Sequence, residues 1–105
     1  MKEVIYRVHC SCGDTYIGET GRTLDVRLKE HKWAVRLDYT NNDIAVHANK
    51  TMHDIFWDSA EVLEQESNWL KRRLEEALYI RDEDTTMNLD QGFQLNPIWS
   101  ALTIT

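Results

Sequence analysis

The sequence predicts an α/β domain, and three observations carry that reading. Residues 3–8 (EVIYRV) and 14–18 (DTYIG) are rich in β-branched and aromatic side chains. They flank HCSCG, a short connection ending in glycine, which is the pattern of a hairpin. After GETGRT, the residues Leu24, Leu28, His31 and Val35 recur at spacings of three and four, with Thr23 placed to cap a helix running to about Arg36. From Ser67, a capping residue, Leu70, Leu74, Ala77 and Leu78 mark one apolar face of a helix ending near Arg81. Between the two long helices, residues 43–50 (DIAVHANK) fit a short helix with Asn42 or Asp43 near its cap, and IFWDSAEVLEQE reads as an extended segment. The tail from Thr85, with Gly92 and Pro97 and no clear period, is expected to wrap the domain as loop.

Composition narrows the class. The 105 residues have room for one core, so residues 1–105 are read as a single domain, and 42% hydrophobic with 29% charged residues suits an ordinary globular chain. No apolar run approaches the roughly 18 residues of a membrane helix, and MKEVIYRVHC lacks the apolar stretch of a signal peptide, so no membrane role is expected. Cys10 and Cys12, one residue apart, cannot staple distant segments, which points to a reducing, intracellular or nuclear location and leaves a metal pair open. The net charge of −6 opposes strong nucleic-acid binding, but Arg22, Arg27, Lys29, Lys32 and Arg36 cluster within fifteen residues, and Lys71, Arg72 and Arg73 form a second group. The acids lie mainly elsewhere, in 58–66 and 82–84, so one basic face on an acidic body is expected.

Val4-Ile5-Tyr6, then Tyr16-Ile17-Gly18, Arg27 and His31 on the first long helix, Glu76 on the last helix and Asn88 just after it form an ordered constellation. It resembles the GIY-YIG nuclease family over nearly the whole chain. More narrowly, IYRVHCSCG, TYIGETGRTLDVRLKEH, NWLKRRLEEALYIR and TMNLDQGFQLNPIW are similar to the endonuclease domain of Penelope-like retroelements, which carries a cysteine pair between the two name-giving motifs. The resemblance implies a small antiparallel sheet of about three strands, the hairpin plus residues 55–64, flanked by α-helices. It implies DNA as substrate and a fused or associated reverse transcriptase as partner. Two departures stand out: Val4 replaces the name-giving glycine, and no proline precedes the TMN stretch.

The residue types suit phosphodiester cleavage, which needs an activated water, neutralised phosphoryl oxygens and help for the departing oxygen. Glu76 would hold one Mg²⁺ or Mn²⁺, because hard cations take carboxylate and water oxygens. Arg27 would meet the phosphate with a permanently charged, forked guanidinium. The resemblance favours Tyr6 as general base with Tyr16 nearby and leaves open which of the two acts. His31, one turn from Arg27, would polarise the tyrosine or share its proton, and Asn88 would orient the metal-side shell. Each also has an ordinary reading: core tyrosines, an exposed Arg27–Glu30 pair, a Glu76 ion pair with Arg72 or Arg73, a half-buried histidine and a loop-capping asparagine.

Cys10, Cys12, His47 and His53 make a set of two thiols and two imidazoles, the donors that tetrahedral Zn²⁺ prefers. The five residues between the histidines fit, the single residue between the cysteines is shorter than usual, and the alternative is a reduced pair with two surface histidines. The four tryptophans, Trp33, Trp57, Trp69 and Trp99, suit core or lid positions or the stacking of bases. The competing functional reading is a catalytically inactive nucleic-acid or protein-binding module on the same scaffold, with a purely structural zinc domain as a third.

Overall fold

The hairpin supplies two of the three strands of the sheet, and its first strand is the central one. In the computed structural model, which describes residues 1–83 and 85–88, strands β1 (Lys2–Cys10) and β2 (Thr15–Thr23) pair antiparallel across a turn containing Gly13. Gly13 sits at φ 94°, a backbone angle that a side chain would strain. Strand β3 (Ile55–Gln65) pairs antiparallel with the other side of β1, giving the order β2-β1-β3. The α/β architecture and three-stranded antiparallel sheet are those the sequence predicts.

Because β1 is central and covered on both faces in its first half, Val4-Ile5-Tyr6 is an unbroken buried run, and Arg7 and His9 restore alternation only beyond it. Val4, Tyr6 and Val8 gather with Ile44 on one face, packed by Tyr16, Leu24, Leu28, Val35 and Trp57. Ile5 and Ile17 meet Ile80 on the other, with Leu63 and Tyr79. The glycine that Val4 replaces is therefore not missed, since Val4 is fully buried core.

Helix α1 (Leu24–Leu37) starts directly from β2, with the Thr23 hydroxyl accepting from the Val26 amide. Helix α2 (Asp43–Thr51) is capped by Asn42, whose Oδ1 accepts from the Ala45 amide at 3.1 Å. Helix α3 (Trp69–Asp82) begins one residue later than the sequence suggests: Asn68, not Ser67, accepts from the Lys71 amide at 2.9 Å. Its buried stripe also differs. Leu70 is exposed and Leu74 and Leu78 are only half-buried, whereas Arg72, Glu76, Ala77 and Ile80 face inward. The cause is polar: Arg72 turns in to pair with Glu19 at 2.7 Å and to donate to the Glu66 carbonyl at 3.0 Å. The second basic group is thereby partly spent inside the fold, whereas Lys29, Lys32 and Arg36 of α1 are exposed. The expected loop beyond Asn88, with Gly92, Pro97 and Trp99, lies outside the described residues.

Candidate active site and metal centre

Strand β2 lies at the edge of the sheet, so helices on both faces can reach around it. A cleft of about 180 Å³ results, lined by Tyr16 and Glu19 of β2, Arg27 of α1, Asp43 of α2, and Arg73 and Glu76 of α3. Asn88 also borders it. Five elements or segments thus converge on one small volume with carboxylates and guanidiniums interleaved.

Tyr6 lies behind this cleft. It pairs with Gly18 across the β1–β2 ladder, and its ring crosses the glycine so closely that a Cβ there would stand 2.5 Å from Tyr6 Cζ and 2.8 Å from Tyr16 Cε2. The glycine of YIG is required by the tyrosine of the first motif. Tyr6 has no exposed surface, and its hydroxyl meets His31 Nε2 at 2.7 Å. The Tyr16 ring stands edge-on to His31, centroids 5.2 Å apart.

His31 is in turn held by Asn42, a residue that sequence reasoning identified only as a cap. His31 Nδ1 stands 3.0 Å from Asn42 Nδ2 and 3.3 Å from Asn42 Oδ1, the oxygen that also takes the Ala45 amide. Burial first, and the Arg27 charge second, push the His31 pKa down to about 4, so the ring is neutral around pH 7. Nothing in the local sequence signals this pairing, because His31 and Asn42 belong to different elements.

Burial raises the Tyr6 pKa well above the ordinary phenol value, Tyr16 adds to the rise, and the charge and hydrogen bond of Arg27 oppose it. Tyr16 is pushed up to about 12, again chiefly by burial against the pull of Arg27, with Glu76 and Asp43 raising it further. A cation among the carboxylates would reverse that last effect. Arg27 bonds Glu30 at 3.2 Å, but it is half-buried and interacts with both phenols, so it is more than a solvated helix charge. Glu76 is buried, not the exposed pair its neighbours Arg72 and Arg73 suggest. The Asn88 carboxamide is committed to the edge of β2: Oδ1 accepts from the Ile17 amide at 3.0 Å and Nδ2 donates to the Ile17 carbonyl at 2.9 Å. It pins the segment after α3 beside Tyr16.

A second cluster forms at the hairpin tip. Cys10 ends β1, Cys12 is in the turn, His47 is on α2 and His53 follows it, and one donor atom from each lies within 4.8 Å of all the others. His47 Nε2 is 3.3 Å from Cys10 Sγ and 3.4 Å from Cys12 Sγ. The cluster can hold a metal ion, and the turn is tied to the same region by the Ser11 amide donating to the Asp54 carbonyl at 2.9 Å. Of the tryptophans, Trp57 packs on the core while Trp33 and Trp69 are exposed.

No helix among the described residues is long and apolar enough to cross a membrane. The chain has no significant match among curated proteins or among solved structures. The family model for the GIY-YIG catalytic domain does match, over residues 2–79, which include both tyrosine motifs, Arg27, His31 and Glu76. With that match covering most of the chain, and with the three-stranded sheet and its flanking helices, the chain belongs to the GIY-YIG catalytic domain family, a family of nucleases that use divalent metals.

Proposed function

We propose that this domain is a metal-dependent DNA endonuclease that nicks or cuts target DNA for retroelement integration, working with a fused or associated reverse transcriptase. The observation that carries the nuclease reading is the convergence of Tyr16, Arg27, Glu76 and Asp43 on one cleft, with Tyr6 and His31 directly behind it. The retroelement assignment rests on the similarity of the IYRVHCSCG and TYIGETGRTLDVRLKEH stretches to the Penelope-like endonuclease domain.

Glu76 and Asp43 offer the hard oxygen donors that Mg²⁺ or Mn²⁺ takes, and such an ion, when bound, supplies charge for the phosphoryl oxygens and the leaving 3′ oxygen. Arg27 binds the phosphate and neutralises charge that grows as phosphorus becomes five-coordinate. Tyr16, which lines the cleft, takes the proton from the attacking water, and Tyr6, which has no exposed surface, holds the site through His31 and Arg27. This division departs from the expectation that Tyr6 is the base, and it follows from which phenol borders the cleft. The charge and hydrogen bond of Arg27 favour the Tyr6 anion against the cost of burial.

We assign Zn²⁺ to Cys10, Cys12, His47 and His53. The sulfur–nitrogen separations of 3.3 and 3.4 Å approach the edge of about 3.6 Å expected for a tetrahedron with zinc–sulfur and zinc–nitrogen bonds of usual length. Unoxidised thiols fit work in a reducing, intracellular or nuclear compartment.

The raised phenols and the charge of −6 favour a second reading, a binding module that has lost catalysis. Nicking of supercoiled plasmid with and without Mg²⁺ or Mn²⁺ separates the two. The endonuclease gives metal-dependent nicked circles; no cleavage between pH 6 and 9, or equal cleavage by Glu76→Gln, sinks it.

A further inference from the structure

Beside the cleft, on the outer side of α1, runs a larger groove of about 740 Å³ that shares Arg27 with it. Val26, Lys29, Trp33, Tyr39 and Asn41 are among its other lining residues. We propose that this groove takes an unpaired nucleotide of the DNA strand next to the phosphate held at Arg27, its base lying against Trp33 and Tyr39. The preferred substrate is then DNA whose pairing is interrupted beside the cut. The inference rests on the nuclease reading, and it adds what that reading leaves open, the kind of DNA recognised.

Three observations favour this occupant. Trp33 is 55% exposed, Tyr39 47% and Val26 40%, a concentration of apolar surface in one concavity that ordinary solvated residues do not need. The groove is also cationic: Lys29 and Arg27 line it, and Arg36 stands 5.8 Å from the Trp33 ring centroid. Its one acid, Glu30, is already paired with Arg22 at 2.6 Å and Arg27 at 3.2 Å. An aromatic concavity edged with cations suits a polyanion that also presents flat apolar faces. Phosphates alone have no use for the rings, and a paired duplex hides its base faces and offers only edges. An unstacked base presents a face to an aromatic ring, which is how single strands are gripped without regard to sequence. Lastly, Arg27 belongs to both cavities, so a strand with its phosphate in the cleft runs directly past the groove, and Asn41 is available to the edge of the base.

The test uses the full chain carrying Glu76→Gln, which keeps DNA whole, and two labelled duplexes that differ by one unpaired 2-aminopurine nucleotide. The expected result is about tenfold tighter binding of the interrupted duplex, the scale of one base–aromatic stack, with 2-aminopurine fluorescence quenched on binding. Adding Trp33→Ala or Tyr39→Ala should erase most of that preference and the quenching, and leave affinity for the continuous duplex within about twofold. Trp33→Phe should restore the preference. Both positions are exposed, so thermal melting should not move. Equal affinity for the two duplexes, or a preference that survives Trp33→Ala with Tyr39→Ala, overturns the proposal. Plasmid nicking by the wild type without any such preference overturns it while leaving the nuclease; preference without nicking supports the groove and sinks the nuclease.

Discussion

The chain gathers two polar clusters of different chemistry, and they are built on opposite principles. At the hairpin tip the donors are two thiols and two imidazoles from a strand end, a turn, a helix and a loop, all within 4.8 Å of one another. In the cleft the carboxylates of Glu76, Asp43 and Glu19, the last paired with Arg72 at 2.7 Å, are interleaved with Arg27 and Arg73 and walled by a phenol. A closed soft set suits an ion that holds segments together, and a hard set beside cations and phenols suits an ion that meets a substrate. Helix α2 joins them, with Asn42 at its start holding His31 and His47 further along facing the cysteines. Damage at one site should therefore read out as chemistry, and at the other as stability.

The sharpest break in that contrast comes from the cleft. Glu76→Gln keeps shape but loses the charge that retains a hard cation, and Arg27→Ala removes charge from the phosphate; each should lower the nicking rate on the order of 10²–10³-fold, the scale of one deleted electrostatic contact. Melting temperature should stay within a few degrees. A large drop in melting with either variant would place these residues with the structural cluster instead.

Within the cleft, the two phenols should separate. Tyr16→Phe removes the proton acceptor that borders the cavity and should cost about 10²-fold or more, as general-base loss does. Tyr6→Phe keeps a ring over Gly18 and loses only the oxygen that His31 meets, so about tenfold is expected. Single-turnover nicking of both variants decides it, and the reverse order makes Tyr6 the base.

At the hairpin tip the sign of the effects changes. Purified protein should carry one zinc per chain, and Cys12→Ser should lose it and lower the melting temperature by more than about 5 °C, the shift that about 1 kcal/mol makes in a domain of this size. The nicking rate of the folded fraction should change less than threefold. Zinc analysis with thermal melts before and after chelation checks this.

The legible parts of this molecule were those written in short-range pattern. The hairpin, α1 and its Thr23 cap, and the Asn42 cap of α2 follow from residues near one another in sequence. The inward side of α3 was misread because its apolar residues point partly outward while Arg72 and Glu76 turn in, a preference set by Glu19 on a different element. The constellation of Tyr6, Tyr16, Arg27, His31 and Glu76 was visible through the resemblance to the GIY-YIG family, but its layering was not. That Tyr6 is sealed behind Gly18 while Tyr16 borders the cleft depends on strand register, and the hold of Asn42 on His31 depends on where α2 begins. Long-range polar partners of this kind leave no periodic trace.

The smallest effect concerns His31, and it tests the Asn42 contact directly. The folded-state pKa of about 4 lies below the unfolded value of about 6.5. Between those values the unfolded chain binds a proton that the folded chain refuses, so stability is fully present above pH 6.5 and falls as pH drops toward 4. The slope from this one group is at most about 1.4 kcal/mol per pH unit. Urea unfolding at pH 7, 6, 5 and 4.5 should show it, and His31→Gln should flatten the profile by that amount. Asn42→Asp sharpens the test, because aspartate caps a helix as well as asparagine but sets a negative charge against Nδ1. His31 should then hold its proton to higher pH, and the acid-side loss should shrink. The same negative charge disfavours a phenolate nearby, so nicking should fall about tenfold while stability at pH 5 improves. If Asn42→Asp leaves both the pH profile and the rate unchanged, Asn42 serves α2 alone and His31 takes its orientation from Tyr6.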